Sequence, residues 1–139
     1  MAARVDSDEY YVLDLCDEVL GVVGDRQAKF DWLRGDPSAR FPAGAKLPVD
    51  GYWPTLGLVV EFHEEQHSAP STLFDRRQTV SGVGRGEQRR IYDERRWQLI
   101  PAHGLELVVI EKSSSTVKGK KLVRHRERDL AVVEAHLAL

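Results

Sequence analysis

One cysteine, Cys16, is the whole supply of thiol in 139 residues. An internal disulfide is therefore impossible, and a cysteine-rich zinc site is excluded. Val12, Leu15 and Val19 recur around Cys16 at helical spacing, so it reads as a core packing residue rather than a nucleophile. A reducing, cytoplasmic setting is expected from that usage. Long apolar runs are missing too: none approaches the roughly 18 residues of a membrane span, and the N-terminus lacks a signal-peptide pattern. No membrane partner is expected. Internal repeats, heptad arrays and low-complexity tracts are absent, and no linker marks a second domain. The expectation is one domain over 1–139, with a core of about 8–110, a basic loop at 111–128 and a C-terminal helix at about 126–138. That length buries a core without disulfides or structural metal. Apolar content of 42% and charged content of 30% are ordinary for a globular protein.

A strong net charge is also lacking, but the formal value of −2 conceals a segregation. Residues 1–75 carry 6 Lys/Arg against 14 Asp/Glu, a balance of −8. Residues 76–128 carry 14 against 6, a balance of +8, and the last eleven residues add −2. Phosphate neutralisation is local to a basic surface, so a nucleic-acid partner is compatible with the average. The competing reading is that these cations solvate exposed helix and loop faces.

"SDEYYVLDLCDEVL" (7–20) reads as a helix with Ser7 as N-cap, acidic residues in its first turn, and Gly21 and Gly24 at its end. "AKFDWL" (28–33) alternates like a strand, and the proline- and glycine-rich segment 34–48 reads as turns. "VDGYW" (49–53) and "GLVVEFH" (57–63) read as two strands joined by a short turn, the second buried on both faces. Residues 68–84 hold either a short helix or a loop. "RGEQRRIYDERRWQLIPAHG" (85–104) reads as a helix stopped by Gly104, and "LELVVI" (105–110) as another buried strand. A basic loop or hairpin follows at 111–128. The last helix places Leu130, Val133 and Leu137 on one stripe. The order α-β-β-β-α-β-α predicts an α/β fold, a mixed central sheet flanked by helices.

The apolar run 57–60 is followed at once by Glu61, His63, Glu64, Glu65 and His67. A carboxylate within a buried strand is costly unless paired, which marks Glu61 as functional. If the two strands form a hairpin, Asp50 lies near Glu61 across it. Magnesium accepts two carboxylates and keeps several waters. It can orient a water, lower its pKa and stabilise charge on phosphate. His63, two residues on, shares a face with Glu61 and could serve that water as general base or donor. His67 is the second candidate for that catalytic role. His63 and His67 could instead be zinc ligands or ordinary polar residues, and Asp50–Gly51 is also a common turn pair. Gln66 could reach a phosphate or hold the site. In the 85–104 helix, Arg85, Gln88, Arg89 and Arg96 share one stripe suited to phosphate, with a salt-bridge ladder to Glu87, Asp93 and Glu94 as the alternative. Lys118, Lys120 and Lys121 extend the basic surface in the 111–128 loop.

Asp50, ten residues, Glu61, one residue, His63 resembles the PD-(D/E)XK nuclease superfamily. The detailed likeness is to its small members related to very-short-patch repair endonucleases. "EFHEEQH" (61–67) is similar to their E-x-D-G-x-x-H or H-G-x-x-x-H pattern. "YDERRWQLIPAHGLELVVI" (92–110) is similar to their D-x-x-R-x-x-x-L-x-x-x-G-W-x-V helix and strand. The likeness covers roughly 8–110. It departs from the pattern at Val49 in the proline place, His63 in the lysine place and Glu64 in a glycine place. The resemblance implies a restriction-endonuclease-like sheet and a Mg²⁺ site (Mn²⁺ as substitute) on Asp50 and Glu61. It also implies one added helix carboxylate, Glu18 in preference to Asp14, and a bracing Asp93–Arg96 pair. The expected function is a metal-dependent DNA endonuclease of repair, restriction or mobile-element processing, acting on DNA or RNA, with a homodimer for double-strand cleavage. The alternatives are a nuclease-fold nucleic-acid-binding module without turnover, and a partner-binding domain without nucleic acid.

Overall fold

The computed structural model describes residues 7–63, 84–112, 117–118 and 121–138. The fold is α/β. A four-stranded mixed sheet has the order β1 (Asp25–Ala28), β2 (Val49–Trp53), β3 (Leu58–His63) and β4 (Glu106–Glu111). The first two pairings are antiparallel and β3–β4 is parallel. Three helices accompany it: α1 (Asp8–Leu20), α2 (Arg85–Ala102) and α3 (Arg126–Leu137). The chain divides into two compact units, one of Met1–Ala28, Val49–Glu65 and Glu106–Leu139, the other of Lys29–Pro48 and Gln66–Leu105. Among the described residues, no helix is long and apolar enough to cross a membrane.

In the first unit, α1 begins where the Ser7 hydroxyl accepts the Tyr10 amide and ends where Gly21, at φ 72°, turns left-handed. Its inner face of Val12, Leu13, Leu15 and Cys16 is buried against Trp53, Val60, Phe62 and Ile110 of the sheet and Val133 and Leu137 of α3. Cys16 is thus the packing residue its spacing predicted, and burial pushes its thiol up to about 12. Trp53 is the largest side chain of this core. Its indole N–H is shared between Asp17 Oδ1 at 3.1 Å and the Val22 carbonyl at 3.0 Å. A Cβ at Gly24 would stand 2.4 Å from that ring, so only glycine lets the chain pass.

Two expectations shift. The strand predicted at 28–33 lies earlier, at Asp25–Ala28. The polar segment is drawn into the sheet by Arg26, which binds Asp14 at 3.0 Å and Asp17 at 2.7 Å. The alternation that suggested a strand at 28–33 comes instead from stacking: Phe30 and Trp32 lie 4.6 Å apart, and His103 covers Trp32 at 3.9 Å. β4 was expected to be buried. As the sheet's edge it buries only Ile110 among its six residues. The basic segment forms a hairpin, β5 (Val117–Lys118) against β6 (Lys121–Leu122).

In the second unit, α2 holds the 34–48 segment through one face. The Tyr92 hydroxyl accepts the Asp36 amide at 2.9 Å. Arg95 donates to the Arg34 carbonyl at 2.9 Å and to Asp36 at 3.0 Å. Leu33 and Ile100 are fully buried.

Candidate active site

β2 and β3 are paired through Gly51↔Val60, Tyr52↔Val59 and Trp53↔Leu58, and there the pairing ends. β2 runs on to Val49 against β1, and β3 runs on to His63 against β4. Asp50 and Glu61 are the next pair in register, at the point where the two central strands part. Their side chains take over the ladder. The Asp50 amide donates to Glu61 Oε2 at 2.7 Å, and the Phe62 amide donates to Asp50 Oδ2 at 2.8 Å. Glu61 is 4% exposed and Asp50 half-buried. A buried carboxylate is tolerable when charge-assisted hydrogen bonds replace water, and each of these two carboxylates has at least one.

His63 is half-buried, two residues beyond Glu61 on the same strand face, and stands opposite Glu111 in the parallel β3–β4 register. The carboxyl ends of parallel strands are where α/β sheets present ligand sites, and these residues occupy that end. Two hard carboxylates with waters are a set that Mg²⁺ accepts. Among the described residues, no three His, Cys, Asp or Glu side chains converge as a metal group.

The remaining expected residues separate. His67, Gln66 and Lys120 lie outside the described residues, as do Glu64, Glu65 and the side chain of Arg85. Glu18 is paired with Arg126 of α3, and Asp14 with Arg26; neither joins Asp50 and Glu61 in a metal group. Arg89 is exposed on α2. Arg96 is turned inward: it pairs with Asp93 at 3.2 Å and donates to the Pro48 carbonyl at 3.1 Å, both side chains being 15% exposed. The Asp93–Arg96 pair expected from the resemblance forms. Lys118 and Lys121 are exposed and stand directly opposite each other across the hairpin. Like charges at that spacing repel.

A second charged cluster of the first unit went unread. Asp8 accepts from the Leu122 amide at 3.0 Å and pairs with Lys112 at 3.4 Å and Arg124 at 3.3 Å. Burial raises its carboxyl, but the Leu122 amide and the two cations outweigh that and hold it below the usual range. Asp129, 2% exposed, accepts the Tyr11 hydroxyl and the His125 amide on Oδ2, while Oδ1 has no hydrogen-bond partner among the described residues. Asp8 and Asp129 are more than a hundred residues apart in the chain, and each lies in the first turn of a helix. That position explained them locally as dipole-complementing acids and hid their long-range pairing.

Comparison with protein families, curated proteins and solved structures gave no match, so the functional reading rests on this geometry.

Proposed function

We propose that the chain is a metal-dependent endonuclease that hydrolyses phosphodiester bonds of DNA, or of RNA, in the manner of the PD-(D/E)XK nucleases it resembles. The observation that carries the reading is the Asp50–Glu61 pair. Two carboxylates occupy the place where the central strands part, one of them almost fully buried and each fixed by an amide of the facing strand. Fixed acceptors of this kind meet a cation without reorganisation. Asp50 and Glu61 would hold Mg²⁺, with Mn²⁺ as its substitute. The metal would supply Lewis-acid stabilisation of phosphate charge and a more acidic water. His63 would accept the proton of the attacking water as its oxygen bonds to phosphorus and the bridging P–O bond breaks. The exposed Arg89, Lys118 and Lys121 supply cations for the phosphate backbone.

A second reading is favoured by one specific observation. Among the described residues no three His, Cys, Asp or Glu side chains converge as a metal group, and histidine stands in the lysine place. A nucleic-acid-binding module without turnover fits that as well. The deciding experiment incubates purified protein with supercoiled DNA and Mg²⁺ or Mn²⁺, with a chelator control. Metal-dependent nicking supports the nuclease. Binding without nicking supports the module, and neither outcome leaves a partner-binding domain. A single such site cuts one strand, so double-strand cleavage would call for a homodimer or two successive nicks.

A further inference from the structure

The opposite end of the β3–β4 pair carries a pocket of about 370 Å³. Its floor is Leu58 and Val108, neighbours near the starts of the two parallel strands. Its walls are Val19 and Leu20 from the end of α1, Leu137 from the end of α3, and Leu56 from the short 3₁₀ turn between β2 and β3. These six side chains are aliphatic. Glu106, exposed at the start of β4, is the one charged member. The volume falls at the low end of the roughly 300–1,000 Å³ typical of small-molecule sites, and the composition is theirs too: apolar walls with a single polar group to orient the ligand.

The mouth has a definite sign. Both α1 and α3 end at this pocket, so the negative poles of their dipoles lie toward it, with the Gly21 amide closing the last turn of α1 on the Asp17 carbonyl. α1 has no basic residue in its last turn to offset that pole, and α3 has only His136. The acids of the α1 turn, Asp17 and Glu18, are paired with Arg26 and Arg126, so the sign of the mouth comes from the poles and Glu106. Glu106 adds a full negative charge, and among the described residues it carries no ion pair. Leu56 is 49% exposed, so an apolar surface is left open to solvent beside this negative rim.

We propose that this pocket binds a small amphiphilic amine, its alkyl or aryl body between the aliphatic walls and its ammonium at Glu106 and the helix ends. The apolar body alone would bind without regard to charge. The rim is what selects a cation and rejects the corresponding carboxylate. Glu106 and the two helix poles together should separate the two by about tenfold. The inference does not depend on the nuclease reading, because the pocket and the acidic strand pair share no residue.

The test uses octylammonium, octanoate and octanol as probes, titrated into the full chain below their self-association concentrations and followed by NMR shifts of the pocket methyl groups. Octylammonium is expected to saturate the Leu58, Val108 and Leu137 signals and to bind about tenfold more tightly than octanoate. Glu106→Gln should narrow that difference to about threefold with octanol binding unchanged. Leu56→Lys, at an exposed position, should erase or reverse it while leaving the fold intact. Val108→Phe should fill the pocket and remove all three probes. If Val108→Phe does not fold, Leu56→Lys decides. Equal binding of octylammonium and octanoate, or a preference that survives Leu56→Lys, would overturn the proposal. So would shifts at these methyls that track protein concentration, which would mark the pocket as a self-association surface.

Discussion

Asp50 and Glu61 each accept the backbone amide of the other's strand, so two acids stitch the sheet where its own ladder stops. The pair has two separable roles. As hydrogen-bond acceptors the side chains close the split between β2 and β3. As charges they can hold a cation.

Substitutions at this pair should separate the roles. Glu61→Ala leaves the Asp50 amide without its acceptor beside a buried side chain, and should cost about 1–3 kcal/mol in urea unfolding. Glu61→Gln keeps an acceptor oxygen and gives up only the charge assistance, for about 1 kcal/mol. If Glu61 holds the metal, both variants lose divalent-dependent cleavage while Glu61→Gln still folds and binds DNA. Asp50→Asn is expected to behave as Glu61→Gln does. Wild-type nicking by Glu61→Gln would confine the pair to its structural role.

Arg89 and Arg96 looked equivalent on one helical stripe, but they should give opposite phenotypes. Arg96 is 15% exposed and committed to Asp93 and the Pro48 carbonyl, so Arg96→Ala should destabilise by about 2 kcal/mol. Arg89 is exposed, so Arg89→Ala should move stability by less than about 0.5 kcal/mol. If α2 meets phosphate, Arg89→Ala weakens all DNA sequences alike and flattens the salt dependence of binding. Denaturation curves and salt titrations of the two variants check both halves.

The contrast shows where the sequence was readable. α1 was legible because Ser7, the Val12–Leu15–Cys16 spacing and Gly21 all point to one helix, and local signals agreed with tertiary packing there. Glu61 was legible because a carboxylate closing an apolar strand is expensive enough to need a reason. β1 was not, since "DRQA" has no apolar pattern and is held by Arg26 against Asp14 and Asp17 of α1. Phe30 and Trp32 mimicked period two through a stack that His103 closes from 71 residues beyond Trp32. A helical wheel also cannot rank its arginines. Which of Arg89, Arg95 and Arg96 faces inward depends on the 34–48 segment, and no local pattern encodes that.

The Lys118–Lys121 juxtaposition gives a prediction that couples stability to binding. Replacing Lys121 with Glu turns a repelling cross-strand pair into an attracting one, so Lys121→Glu should stabilise the hairpin slightly at low salt. Salt screening should erase the gain. If the hairpin receives phosphate, the same change weakens DNA binding and lowers the log–log salt slope by about two, since one cation is lost and one anion added. A stabilised hairpin with unaltered DNA affinity would place the nucleic-acid surface elsewhere.

Tyr11 supplies the pH signature. Burial, and then the hydrogen bond to Asp129, push its phenol from 10.0 up to about 12. Folding therefore favours the protonated phenol. That contribution is whole below pH 10 and is lost as the pH rises through about 12, where the folded-state phenol ionises beside a carboxylate. Tyr11→Phe lacks the contribution at every pH. It also leaves Asp129, which is 2% exposed, with the His125 amide as its remaining hydrogen-bond donor. The variant should be less stable than wild type by about 1–2 kcal/mol at neutral pH. The gap should hold up to about pH 10 and close toward pH 12, because only the wild type has a phenol left to ionise. Urea unfolding at a series of pH values measures it. No gap at neutral pH would mean that the Tyr11–Asp129 bond contributes nothing to folding, and a gap unchanged at pH 12 would mean that the phenol is not the group titrating there.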